Sequence, residues 1–279
     1  MDKTSRLCQY DDPEGIKCTE ESGRHSHYCY WHDTSVDKSG EEVKEALLEY
    51  TRSGGMTRGI CLKGANLKNI DLVNHYHKQG FDFSYTDFYR ADLSGAHLFN
   101  INLTQASLMK CDLRYANLNC ANLTMANLLG VKWKGCKIEH LMIGKKLIQE
   151  QKARQLVKEN NKHAALDYFE QAEEIYRDLR KHAEHEGIFS MSGRLIQREL
   201  TMRRLQMPQM SFRRFSSKVV DLFCGYGEDP VRIVGISLIL ITLCAALYTI
   251  TGLSYQGQVL AWDSANSLKE NITLFFSCL

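Results

Sequence analysis

The chain has 279 residues and a formal charge of +2, a balance too weak to imply a nucleic-acid partner. Its start, MDKTSRLC, has no apolar stretch of the secretory kind, so the ten cysteines are expected to be reduced cytosolic thiols rather than a disulfide framework. Charge is uneven along the chain: residues 1–59 carry 8 Lys/Arg against 12 Asp/Glu, residues 60–138 carry 9 against 5, and residues 190–218 carry 7 against 1.

At the amino end, Cys8, Cys18, Cys29 and His32 stand in CQYDDPEGIKC and YCYWHD. The closing Cys-x2-His is tight enough for both side chains to reach one ion, and three thiolates with one imidazole make a tetrahedral zinc set. Residues 1–35 are acidic and poor in aliphatics, so metal binding would supply folding energy that a core cannot. His25 and His27 are rival fourth ligands. Four protein ligands leave no open position, which makes the expected zinc structural rather than catalytic. Tyr28, Tyr30 and Trp31 are expected to pack around this knuckle. Residues 36–59, rich in Ser, Gly and Glu, read as a linker with one short helix near Glu41–Tyr50.

From residue 60 to 138 the chain divides into fives: ICLKG, ANLKN and IDLVN, then, after the six residues His75–Gly80, twelve more from FDFSY to CKIEH. The first residue of a unit is small or apolar and the third is nearly always Leu, Phe, Ile or Trp. Two residues apart, they share one face of an extended segment. The second, most often Asn or Asp, points outward, and the fifth is where the chain must turn. One short strand and one corner per unit give a coil that stacks on itself. His75, Tyr76, His77 and Lys78 break the frame and are a candidate partner-binding bulge, since loops on a rigid scaffold often carry function.

ANLKN, ADLSG, ANLNC, ANLTM and ANLLG resemble the pentapeptide-repeat family, whose pattern is A(D/N)LXX. The resemblance implies a right-handed four-sided β-helix of roughly four coils. Its core columns would run from Ala65 to Ala126 and from Leu67 to Leu128. Some members mimic DNA and bind topoisomerases through an acidic face. The excess of 9 Lys/Arg over 5 Asp/Glu across residues 60–138 argues against that role, so no nucleic-acid-like surface is expected.

Residues 139–206 lose the five-period. Ala165, Tyr168, Phe169, Ala172, Ile175, Tyr176, Leu179 and Ala183 recur at helical spacing, with flanking helices near 141–159 and 188–206 and turns at Asn160–Asn161 and Glu186–Gly187. This α-helical layer would cover the open end of the solenoid, whose edge needs protection. His163, His182 and His185 have no partnered nucleophile, and no catalytic constellation can be assembled anywhere; the chain reads as a non-enzyme.

Residues 207–229 contain SFRRFSSKVVDLF, a basic amphipathic helix of the kind that lies on a membrane surface. Residues 230–253 follow as a transmembrane helix, and no charged residue occurs from Ile233 to Trp262. Arg203, Arg204, Arg213, Arg214, Lys218 and Arg232 precede the span and predict cytosolic amino-terminal domains on the inner membrane in a single-pass topology. The Gly225-Tyr226-Gly227 triplet is expected to be a turn between helices, because it precedes the span. The segment from Arg203 to Tyr248 resembles a bacterial group in which the solenoid is followed by a two-span, potassium-channel-like domain. The resemblance implies the cytosolic head of an ion-channel-like membrane protein whose pore half is missing from this chain, with residues 254–279 an extracytoplasmic tail or the start of a pore region. It also suggests a homo-oligomer.

The expected fold class is therefore mainly β solenoid, followed by an α-helical layer and one transmembrane helix. The expected partners are a membrane and an unidentified protein. The alternative is a soluble interaction protein acting on a DNA topoisomerase.

Overall fold

The computed structural model describes residues 7–251, and the backbone of 253–255 and 258–260. It divides into two compact units, residues 1–207 and 208–279. The elements are α1 (Glu42–Arg52), α2 (Ile148–Lys158), α3 (Lys162–His185), α4 (Phe189–Gln206), α5 (Phe212–Cys224), α6 (Pro230–Thr251), β1 (Leu253–Tyr255) and β2 (Gln258–Leu260).

The first unit is built on the repeats. Parallel bridges join residues 20 apart, Asp82 to Asn102, Asp87 to Ser107, Asp92 to Asp112 and His97 to Asn117, so the chain returns to the same register after four units. The spacing lengthens to 26 for Cys61 to Asp87, Asn66 to Asp92 and Asp71 to His97, because His75–Gly80 are inserted in that coil. Contrary to the expected strand in each unit, the described repeats contain only isolated bridges. Turns at both ends of each unit leave too few extended residues for a longer ladder.

Every backbone N–H of the unit Ala116–Cys120 is hydrogen-bonded, which explains the five-residue pattern. The first residue closes the corner, as Ala116 donates to the Leu113 carbonyl at 3.1 Å. The second and third pair with neighbouring coils, as Asn117 does with Ala96 and Leu118 with Lys137, both at 2.8 Å. The fourth donates to the side chain of the second: Asn119 N–H reaches Asn117 Oδ1 at 3.1 Å, and Ser94 N–H reaches Asp92 Oδ1 at 2.9 Å. The fifth bonds the next coil, as Cys120 does with the Glu139 carbonyl at 2.8 Å. Asn or Asp at the second position thus satisfies an amide that the corner orphans, and it is absent only where Cys61, His97, Ser107, Lys132 and Lys137 stand. The fifth residue takes positive φ, from Asn69 at 55° to Gly130 at 70°, as a type II corner demands, except at Asn74 just before the insertion.

Inside the coils, Leu67, Leu93, Leu113, Ala91 and Ala116 are fully buried. The solenoid runs past residue 138: Met142 bridges Asn122, its amide bonding the Ala121 carbonyl at 2.9 Å.

Both ends of the stack are covered within this unit. At the carboxyl end, α2, α3 and α4 form the helical layer. The buried His182 donates from Nε2 to the Cys136 carbonyl at 2.7 Å, and Gln149 donates to Asn127 Oδ1 at 2.7 Å. At the amino end, Val43 and Leu47 of α1, together with Trp31, join the same apolar core as the coils. The Cys61 amide donates to the Trp31 carbonyl at 2.8 Å, so residues 29–33 cover the edge of the first coil.

In the second unit, α5 ends at Gly225, which has a left-handed conformation, and a single 3-10 turn, Gly225–Gly227, leads to α6. The Gly-Tyr-Gly triplet is therefore an interhelical turn. Apart from the backbone of β1 and β2, the tail or pore segment expected at 254–279 lies outside the described residues.

Candidate metal centre

A short hairpin brings the first two cysteines together. Antiparallel bridges Leu7–Glu21 and Asp11–Lys17 set its register, and the Cys18 amide donates to the Tyr10 carbonyl at 3.0 Å. Alternation then puts Cys8, Tyr10 and Cys18 on one face. Its turn is held by Asp12, whose Oδ1 accepts from the Glu14 and Ile16 amides at 2.9 Å each. The other pair comes from a tight turn in which the His32 and Asp33 amides both reach the Cys29 carbonyl, at 3.2 and 3.0 Å.

The four ligand atoms of Cys8, Cys18, Cys29 and His32 lie within 4.8 Å of one another, and all four residues are buried. Cys29 Sγ is 3.1 Å and Cys8 Sγ is 3.8 Å from His32 Nδ1, while Cys18 Sγ and Cys29 Sγ are 3.9 Å apart. Ligands placed for a tetrahedral zinc ion have edges of about 3.5–3.8 Å. A disulfide would need sulfurs at roughly 2.05 Å, and these thiols are free. The cluster can therefore hold a metal ion.

The surroundings fix the imidazole for that task. His32 Nε2 donates to the Arg58 carbonyl at 2.9 Å, leaving Nδ1 unprotonated toward the sulfurs. The Tyr10 ring stacks on it at 4.0 Å. Burial lowers the His32 pKa, against a smaller rise from the Arg58 carbonyl, which favours the neutral ligand form. Burial and the neighbouring Cys29 and Cys8 push the Cys18 thiol up to about 12, and burial raises Cys29 as well. Three thiolates in this space thus need a cation among them.

Arg58 ties the cluster to the solenoid. Its guanidinium bonds Asp12 at 2.6 Å, Glu14 at 2.7 Å and Asp82 of the first coil at 2.8 Å. It also faces the Tyr85 ring, 5.4 Å from the centroid. Sequence reasoning missed Arg58, Tyr10 and Lys38; the position of Arg58 just before the first repeat was the one available signal.

The structure leaves the rival ligands His25 and His27 exposed. Trp31 is buried and stacks on Tyr50 at 5.1 Å, but Tyr28 and Tyr30 are 42% and 43% exposed rather than packed inside. In the insertion, His75, Tyr76, His77 and Lys78 are all exposed, Tyr76 at 90%. His75 lies 3.2 Å from Asp71, and Asn100 donates to the Lys78 carbonyl at 2.9 Å, which pins the loop base.

The six basic residues are divided between the two units, Arg203 and Arg204 in the first and Arg213, Arg214, Lys218 and Arg232 in the second. Arg203 reaches Glu173 at 3.0 Å and Glu199 at 3.3 Å, so it is committed to the α3–α4 contact, with Arg204 half-buried beside it. Arg213 and Lys218 are exposed on α5, and Arg214 is half-buried there. Arg232 pairs with Asp229 at 3.1 Å and donates to the Asp221 carbonyl at 3.1 Å. Phe212, Phe215 and Leu222 of α5 are exposed, as is most of the apolar surface of α6. By length and composition α6 is able to cross a membrane.

Residues 91–130 match the family model of pentapeptide repeats, in eight copies. No curated protein matches the chain. Among solved structures, the chain is similar to the pentapeptide repeat protein Rfr23 from the cyanobacterium Cyanothece 51142, at 26% identity over 28% of this chain and 63% of that one, with a TM-score of 0.23. It is also similar to HetL, a pentapeptide repeat protein involved in heterocyst differentiation regulation from the cyanobacterium Nostoc sp. strain PCC 7120, at 28% identity over 30% of this chain and 51% of that one, with a TM-score of 0.16. A third is QnrB1, a plasmid-mediated fluoroquinolone resistance protein, at 17% identity over 30% of this chain and 60% of that one, with a TM-score of 0.17. The chain thus spans less than two thirds of the length of each. The family model and the 20-residue return of the coil together support the pentapeptide-repeat family for the solenoid of this chain.

Proposed function

We propose that the chain is a membrane-anchored pentapeptide-repeat scaffold or sensor that binds a partner protein rather than catalysing a reaction. The head is the right-handed, four-sided solenoid, closed at its amino end by a structural zinc ion on Cys8, Cys18, Cys29 and His32. The loop of His75, Tyr76, His77 and Lys78 is the proposed partner surface. α6 is the single span of the inner membrane, with α5 on the inner leaflet and the solenoid in the cytosol, an arrangement related to ion-channel-like proteins and compatible with a homo-oligomer.

The observation that carries this reading is α6 itself. Val231, Ile239 and Ile250 are 80%, 68% and 70% exposed, a surface water would not tolerate over six turns but hydrocarbon would. Thr242, Thr249 and Thr251 return their hydroxyl protons to carbonyls four residues earlier, each at 2.8 Å, which removes their polar cost in lipid. The test is expression of residues 1–279 and alkaline carbonate washing of the membranes. Retention in the pellet supports the anchor, and recovery in the soluble fraction rules it out, leaving the soluble topoisomerase-directed reading to a supercoiling assay.

A further inference from the structure

Lys38 is 1% exposed, more deeply buried than Asp12 or Asp33 in the same cap. Its Nζ donates to the Asp33 carbonyl at 2.7 Å, reaches the Val36 carbonyl at 3.5 Å and lies 5.3 Å from the centre of the Tyr30 ring. Among the described residues no carboxylate comes within ion-pair distance of it. Carbonyl dipoles solvate an ammonium but do not neutralise it, and a buried cation without an opposite charge is strongly disfavoured.

The opposite charge is supplied nearby. Asp33 follows the ligand His32 directly, and its amide closes the Cys29 turn at 3.0 Å, so the ammonium is anchored to the back of the Cys-x2-His turn. Three thiolates, a neutral imidazole and one divalent ion carry a single net negative charge.

We propose that Lys38 is the counter-charge of the metal centre, bringing the buried assembly of ion, three thiolates, imidazole and ammonium to neutrality. This rests on the zinc reading above and adds a reason for the ion's charge. A monovalent soft ion such as Cu(I), which thiolates also favour, would leave a buried negative charge uncompensated, whereas zinc does not.

The test is chelator competition on the full chain with zinc and with Cu(I), for the wild type, Lys38→Met, Lys38→Gln and Lys38→Arg. Removing the charge in Lys38→Met and Lys38→Gln is expected to weaken zinc by about tenfold or more, the range for groups that support metal ligands. Lys38→Arg should stay within about threefold of the wild type, and the preference for zinc over Cu(I) should fall in the neutral variants. Introducing Cys8→His removes one negative charge, so Lys38→Met should cost little in that background. Zinc binding unchanged in both neutral variants, or an equal loss from Lys38→Met with and without Cys8→His, would overturn the proposal. In the first case the zinc reading survives; a wild type that binds no zinc at all removes both.

Discussion

His32 Nε2 and the carbonyl oxygen of Arg58 are 2.9 Å apart, and that bond joins the candidate metal centre to the first coil of the solenoid. The carbonyl orients the imidazole, while the side chain of the same arginine spans Asp12 and Glu14 in the hairpin and Asp82 in the coil. One residue thus holds a ligand, the hairpin that carries two more, and the surface they cover.

Arg58→Met keeps the backbone carbonyl but removes three ion pairs, one of them to the fully enclosed Asp12 carboxylate. The variant is expected to lose about 5–10 °C in Tm. It should also expose the amides of Gly59 and Cys61 to hydrogen exchange, while the helical layer at the other end keeps its protection. Uniform loss of protection across the chain would contradict separate end caps.

Gly64 occupies a corner at φ +64° with open space where a Cβ would stand. Gly64→Ala therefore isolates backbone conformation from crowding, and urea unfolding should show a loss of about 1 kcal/mol. Gly64→Asn should cost less, because asparagine tolerates this region and already fills the equivalent corner at Asn69.

Asp112 stands at the second position of its unit, bridged to Asp92 and Lys132 in the neighbouring coils. Burial raises its pKa, but the bonds from Arg114 at 2.9 Å and Lys132 at 3.3 Å prevail and hold it below the ordinary carboxylate value. The unfolded chain binds this proton near pH 3.9 and the folded one at lower pH, so the stabilisation is complete above about pH 4 and is lost as pH falls through the folded value. Asp112→Asn should be less stable than the wild type at pH 7, with the two Tm curves converging below pH 4. Parallel curves down to pH 2.5 would show that the pair contributes nothing.

Much of this arrangement was legible because single residues carry it. The corner at every fifth residue, the Leu column and the Cys8, Cys18, Cys29 and His32 set follow from spacing and side-chain chemistry. The second-position Asn and Asp read only as outward-facing polar residues, since their bonds to the fourth amide appear only when the corner is folded. The final turn of the coil was missed because LMIGK puts Leu141 and Ile143 at half-buried positions and moves its glycine one place early. The ion pair of Arg203 with Glu173, thirty residues earlier, was not legible, because it joins two helices that only the fold brings together. Lys38 gave no signal at all, because burial of a lysine between two carbonyls depends on contacts that no local pattern encodes.

Elemental analysis of the intact chain, purified without chelator and followed by hydrogen exchange before and after metal removal, tests the central claim most directly. One zinc per chain is expected, with protection at Gly59 and Cys61 lost when the ion is withdrawn and regained when it is restored. No stoichiometric metal, or metal withdrawal that leaves those amides protected, would contradict a solenoid closed at its amino end by a metal ion.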